Sequence, residues 1–234
     1  MFTIPTQVYP SSCDARGKMK LYAVMQRMQD CSELWLNSEP TFADYFRVND
    51  MGQLLAYRQI DVVREPAYGE ALSVCTSVYE VKAMFGYRNT CIYDYDGKPC
   101  YLSWGIGAFV NRQTGRLQRV PEQILNSVTV DSPVEMEYTE RRIILPHEQL
   151  HFMQPIIAHK TDIDYNHHVN NAEYMRMAVN LLPDDFAVRR VRIEYKVPAR
   201  LADTLQPTVL DCGDDYYVVL YLGEQVSTIF QFSK

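Results

Sequence analysis

The chain has no long hydrophobic run. None of its apolar stretches approaches the roughly 18 residues that a membrane-spanning helix needs, so no such helix is expected. It also lacks paired cysteines. The six present, at positions 13, 31, 75, 91, 100 and 212, are scattered and never form a Cys-x-x-Cys pair. A disulfide framework or thiolate zinc site is therefore not expected. Reduced thiols among apolar neighbours fit a cytoplasmic protein. Positive charge is in short supply as well. The 23 Lys and Arg are outnumbered by 29 Asp and Glu, giving a net charge of −6 and a pI near 5.4. That balance argues against a general nucleic-acid binder. The first residues carry neither a charged segment nor an apolar core, so they do not read as a secretory signal.

What is present is enough apolar residue, 47% of 234, for a substantial core. Its pattern changes along the chain. Residues 1–9 alternate and suit a strand, and Met19 to Leu36 carries apolar residues at three- and four-residue spacing, which predicts a helix. Residues 37–50 read as a loop or short helix. Leu54–Val63, Ala71–Val81, Phe85–Tyr95 and Pro99–Val110 are rich in Val, Ile, Tyr and Cys and read as strands, with a hairpin turn at Asp96-Gly97. The order then recurs. A strand is expected over 153–160, a helix from about Asn170 to Leu182, and strands over Arg189–Val197, Thr204–Leu210, Tyr216–Leu222 and Val226–Phe232. Strand, turn, helix and antiparallel run, twice over, predict an α+β tandem (double) hot-dog: two antiparallel curved sheets, each wrapped around one long helix. Residues 1–120 form the first module, 121–150 a proline- and charge-rich linker, and 151–234 the second.

One stretch concentrates chemistry. From Thr161 to Tyr174 acids, amides and histidines crowd into the turn before the second helix, and Pro183 stops that helix. The first N–H groups of a helix have no intrahelical partner, and the dipole there favours negative charge. Amides near Val169 and Asn170 could therefore hold a carbonyl that gains negative charge. Asp164 could attack or activate water, Asn166 could orient it, and His168 could shuttle a proton. The plainer use of an Asp before a helix is an Asx-turn or cap. Asn170 and Asn171 suit capping. Laying Asp14 over Asp164 puts Arg16 on Asn166 and Lys18 on His168, so the first half keeps the acid alone and one working site is expected per chain.

Asp164, Asn166, His168, Val169, Asn170, Asn171 and Tyr174 fill every position of the signature Asp-x-Asn-x-His-Val-Asn-Asn-x-x-Tyr. The chain thereby resembles the acyl-acyl carrier protein thioesterases, which release fatty acids from their carrier. Further likeness lies in Arg64 to Glu70, Gly86-Tyr-Arg88, Asp96-Gly97, Ser103-Trp104 and Ile193 to Lys196. The resemblance implies a double hot-dog fold, hydrolysis of fatty acyl-carrier thioesters in fatty acid biosynthesis, and Asp164, Asn166 and His168 in the catalytic positions. It implies no cofactor or metal, and acyl carrier protein as partner; pairing of two chains into a homodimer stays open. One departure matters. Where the family's strand commonly reads Leu-Glu-Tyr-Arg-Arg-Glu-Cys, this chain runs from Ile193 to Ala199 with Pro198 and Ala199 in place of Glu and Cys. Neither can be a base or nucleophile, so the reaction must rest on Asp164 or run at low activity. Glu194, by strand parity with Arg190, Arg192 and Lys196, suits a solvated ion pair.

Three other readings fit parts of the chain. An acyl-CoA thioesterase would use the same site, and a non-catalytic acyl-binding protein could keep the fold. His147 to His151 matches the zinc-protease pattern His-Glu-x-x-His, but Pro146 and Pro155 leave too little room for its helix, and a linker is preferred. Carrier protein is strongly acidic, so docking requires concentrated cations. Arg189, Arg190 and Arg192 are the best cluster, with Arg141 and Arg142 next.

Overall fold

The structure is a computed structural model that describes all residues from Met1 to Lys234. In chain order its elements are β1 (Phe2–Gln7), α1 (Leu21–Trp35), α2 (Pro40–Val48), β2 (Met51–Val62), β3 (Ala71–Lys82), β4 (Phe85–Asp94) and β5 (Pro99–Asn111). There follow α3 (Glu122–Leu125), β6 (His151–Phe152), β7 (Ile156–Ile157), α4 (Asn171–Val179), β8 (Arg190–Tyr195), β9 (Thr204–Cys212), β10 (Asp215–Leu222) and β11 (Gln225–Ser233). No helix is long and apolar enough to cross a membrane.

Each half is an antiparallel run, and the halves meet edge to edge. Strand order is β1-β3-β4-β5-β2-β8-β11-β10-β9-β6, with β7 also beside β9. The join is β2 against β8, in register from Tyr57 opposite Glu194 to Asp61 opposite Arg190. The two expected sheets therefore run on as one, because each would otherwise leave an edge of unpaired N–H and C=O groups. The helices share a core too. One cluster of 31 buried residues holds Met25 and Met28 of α1, Met175 and Ala178 of α4, Ile60 of β2 and Phe230 of β11. Tyr22 Oη on α1 donates to Glu173 Oε1 on α4 at 2.6 Å.

α1 follows its apolar spacing, burying Val24, Met25, Met28, Cys31 and Trp35. α4 is shorter than its pattern. It ends at Val179, and Leu181 and Leu182 continue in tight turns whose amides reach back three residues to Ala178 and Val179. The strand expected over 153–160 shrinks to Ile156–Ile157, since Pro155 has no N–H to offer a ladder. No helix forms at His147–His151; His151 begins β6, so the two histidines do not share a helical face.

The linker runs over the sheet face opposite the helices. Glu137 O accepts from Gln59 Nε2 at 2.8 Å, Thr139 Oγ1 donates to Gln59 Oε1 at 2.7 Å, and Val134 N donates to Asn89 Oδ1 at 3.0 Å. Beneath it lie Tyr57, Trp104 and Ile106, with Met136 of the linker against them.

Candidate active site

The turn before α4 is built by backbone bonds. A 3₁₀ turn at Lys160–Asp162 leads into it, Asp164 N donates to His168 O at 2.9 Å, and His167 N donates to Asp164 O at 3.0 Å. The chain reverses at His167, whose φ of 62° is left-handed. The first half makes the same turn: Asp14 N to Lys18 O at 2.8 Å, Gly17 N to Asp14 O at 3.0 Å, and Gly17 at φ 73°. Where the first half uses glycine, the second holds a histidine in a conformation that non-glycine residues adopt at a cost, as residues at working sites often do.

Asp164 Oδ1 accepts from Asn166 N at 2.8 Å, which is the Asx-turn that a plain reading of the residue anticipates. Its counterpart Asp14 Oδ1 accepts from two amides, Arg16 N at 2.9 Å and Lys18 N at 2.8 Å. Asp164 thus keeps more of its acceptor capacity for other work.

Asn166 and His168 line a cavity of about 630 Å³, together with Tyr165, His167 and Asn171 of the same turn. Its other walls come from α1, α2, β2, β4 and β5 of the first half. Tyr165 Oη reaches across to donate to Glu33 Oε2 on α1 at 2.9 Å. Asp164 is not in the wall. Its charge nonetheless acts on the His168 imidazole. Burial pushes His168 below the ordinary histidine range. The Arg200 guanidinium pushes the same way, and Asp164 opposes both. His168 is therefore neutral at neutral pH, with Nδ1 buried and without a protein partner.

Two expected donors are already spent. Val169 N donates to Ala199 O and Asn170 N to Asp162 O, each at 2.8 Å, so neither amide is free for a substrate oxygen. Asn170 is instead the helix cap, its Oδ1 accepting from Ala172 N at 2.8 Å. The amide left without a partner at the start of α4 is that of Asn171, a cavity-lining residue. The sequence offered it as part of the same asparagine pair; pattern could not say which of the amides the fold would consume.

The segment that lost Glu and Cys is structural here. Ala199 is fully buried. Its N donates to Tyr174 Oη at 2.7 Å while its O holds Val169. In the first half Pro66 O holds Met19 N, so Pro198 occupies the position of Glu65, which there pairs with Arg16 at 2.9 Å. A half-buried network that sequence did not reveal steadies the turn from the other side. Arg176 bridges Asp162 at 2.8 Å and Glu173 at 2.5 Å.

The arginine cluster is not a free cationic face. Arg190 pairs with Asp61 at 2.6 Å and Glu137 at 2.9 Å. Arg192 donates to Tyr57 Oη at 3.1 Å, Gln231 Oε1 at 2.7 Å and the carbonyls of Glu140 and Arg142. Both pin the linker to the sheet; Arg189 remains exposed. Glu194 pairs with Lys196 at 3.2 Å but is not solvated. It is buried and accepts from Ile143 N of the linker.

Two helices side by side on one continuous antiparallel sheet, with a polar turn feeding the second helix and a cavity reaching into the first half, define a double hot-dog protein. The solved structures like it share that fold. An acyl-ACP thioesterase from Bacteroides thetaiotaomicron superposes with a TM-score of 0.87 at 20% identity, over 99% of this chain and 96% of that one. A 12:0-ACP thioesterase from Umbellularia californica does so with a TM-score of 0.87 at 16% identity, again over 99% and 96%. An acyl-[acyl-carrier-protein] hydrolase of Cuphea viscosissima (FATB3, chloroplastic) is 25% identical over 141 residues, 58% of this chain and 34% of that relative's length. The acyl-ACP thioesterase N-terminal domain matches residues 2–128 and the C-terminal domain residues 146–218. The chain belongs to the acyl-ACP thioesterase family.

Proposed function

We propose that the protein hydrolyses fatty acyl-acyl carrier protein to free fatty acid and holo-carrier protein, as a step of fatty acid biosynthesis. The observation that carries this reading is a neutral His168 in the wall of a 630 Å³ cavity, beside the start of α4. The acyl chain enters the cavity and leaves its thioester at the Tyr165–Asn171 turn. His168 takes a proton from water, and the hydroxide adds to the carbonyl carbon. The Asn171 amide and the Asn166 side chain receive the oxygen as it becomes negative. Asp164, whose charge acts on the ring, stabilises the imidazolium. The tetrahedral intermediate then collapses, the carbon–sulfur bond breaks, and His168 returns its proton to the thiolate. Water and thioester are thus converted to acid and thiol with no other reactant.

In this reading residues 151–234 supply the reacting groups, residues 1–120 the acyl-pocket half, and residues 121–150 the tie between them. The six free thiols fit a reducing compartment such as the cytoplasm. For carrier docking the candidates that remain exposed are Arg189, Arg141 and Arg142; Arg190 and Arg192 have other work. Turnover of one acyl chain on carrier protein, on CoA and on N-acetylcysteamine tests the proposal. Carrier protein should give the lowest KM. Equal KM for CoA would move the substrate class to acyl-CoA, and no turnover of any of the three would leave an acyl-binding protein.

A further inference from the structure

The cavity that would take the acyl chain is not lined as a hydrocarbon sleeve. Two of its wall residues are buried arginines, Arg58 on β2 at 4% exposure and Arg88 on β4 at 8%. Their placement follows from the sheet register. Arg58 and Arg88 both stand opposite Gly105 of β5, one on each side. Residues in one row of a sheet point to the same face, and two strand spacings put these Cα atoms about 10 Å apart. The residue between them has no side chain. A Cβ at Gly105 would sit 3.0 Å from Tyr57 O, 3.4 Å from Leu55 Cδ1 and 3.7 Å from Arg58 Nε, so the glycine is what lets Arg58 and Leu55 pack over β5. Gly107, next but one along β5, is likewise bare, and the Gln53 side chain lies over it.

Neither arginine has a carboxylate at ion-pair distance, though the charge of Glu33 reaches Arg88. No ion pair in the protein includes them. Arg88 is partly satisfied, donating from Nη1 to Ser32 O at 2.8 Å and lying over the Trp35 ring at 4.2 Å. Arg58 has nothing: Nε and Nη1 are buried without an acceptor on the chain. Burial pushes both below the ordinary arginine range, Arg88 to about 10, and a guanidinium is not deprotonated in proteins. Two like charges side by side and out of water cost stability unless an anion joins them. Such a pair is also where a carboxylate binds best, since the guanidinium fork matches its two oxygens. Arg58 and Arg88 stand on β2 and β4 of the first half and His168 on the turn before α4, so the pair lies on a different wall of the cavity from the reacting end.

We propose that the cavity selects acyl chains with a carboxylate at the end remote from the thioester, held between Arg58 and Arg88. This rests on the thioesterase reading and narrows its substrate class from plain fatty acyl chains to ω-carboxyacyl chains. The chain's own Met25, Leu54 and Leu55 pack the methylene segment between the two ends.

The test compares N-acetylcysteamine thioesters of one length: suberoyl with a free carboxylate, its methyl ester, and octanoyl. The wild-type protein should favour the free carboxylate over both neutral chains by roughly 10- to 100-fold in kcat/KM, as expected for charge-assisted hydrogen bonds made in a buried site. Arg58→Met should remove that preference, and Arg88→Met should weaken it. Equal use of the acid and its ester, or a wild-type preference for octanoyl, would overturn the proposal. So would Arg58→Met keeping the preference. Titration of the wild-type protein with suberate, read by thermal shift against equal ionic strength of chloride, needs no turnover. Stabilisation by suberate that Arg58→Met abolishes supports the pocket even if no thioester is hydrolysed, which would sink only the thioesterase reading. No stabilisation, with thioesters hydrolysed regardless of their far end, would sink the pocket alone.

Discussion

His168 is the residue on which the chemistry turns, and its environment makes a signed prediction. A base must be neutral to work. With its pKa held below the ordinary value of about 6.5, His168 stays neutral to lower pH than a free histidine. The acid limb of kcat/KM should therefore lie below pH 6.5, with full activity above it and loss as pH falls through the folded-state value. Burial is the larger cause and Arg200 the next, so Arg200→Gln should move that limb upward, toward pH 6.5. A limb that does not move would mean that another group titrates. At the same scale, Asp164→Ala should cost at least ~10²-fold in turnover while the protein remains folded, because the imidazolium loses its counter-charge. Asp164 shows the ambiguity of one side chain read alone. The Asx-turn is real, and so is its charge on His168. Only the comparison with Asp14, which gives the same oxygen to two amides, separates the plain turn from the one with acceptor capacity left over.

Among the elements, β8 and the linker carry the lesson. Strand parity correctly put Arg190, Arg192 and Glu194 on one face and Val191 and Ile193 on the other. Parity does not say what lies over a face. The irregular part of the linker around Glu137 to Ile143 covers it, and the three charged residues become anchors rather than a docking surface. Arg190→Glu with Arg192→Glu should then lower the melting temperature and slow all thioesters alike, instead of raising KM for the carrier substrate alone. A selective KM effect at unchanged melting temperature would restore the docking role. Tyr174 makes a second prediction. Its hydroxyl accepts from buried Ala199 N, and Ala199 O in turn holds the first residue before the α4 cap. Tyr174→Phe leaves that amide unsatisfied and should cost about 1–3 kcal/mol, read by denaturant unfolding. If stability is unchanged, the clamp is not held by this bond.

For the whole molecule, the repeat in sequence conceals one folding unit. α1 and α4 share a core, and β2 and β8 share a ladder. Unfolding should be one cooperative transition by circular dichroism and fluorescence alike, and residues 151–234 expressed alone should not give a stable fold, since β8 would expose its paired edge. Two separated transitions, or a cooperatively folding second half, would contradict this.

The sequence by itself determined the elements and the place of the site. Apolar spacing marked α1, alternation and turn residues marked β2 to β5 and β8 to β11, and the turn from Asp164 to His168 announced itself by composition. These are local properties, legible because backbone geometry and burial period act over a few residues. Arg58 also left a trace, sharing the inward row of β2 with Ile60 and Val62, but a lone charge in an apolar row does not reveal its neighbours. What tertiary structure decided was partnership. It joined two sheets into one, spent the amides of Val169 and Asn170, left that of Asn171 free, and brought Arg58 and Arg88 together across Gly105. Each of these depends on residues far apart in the chain meeting at hydrogen-bond distance, and the energy of such a meeting resides in the pair and in neither residue's local pattern.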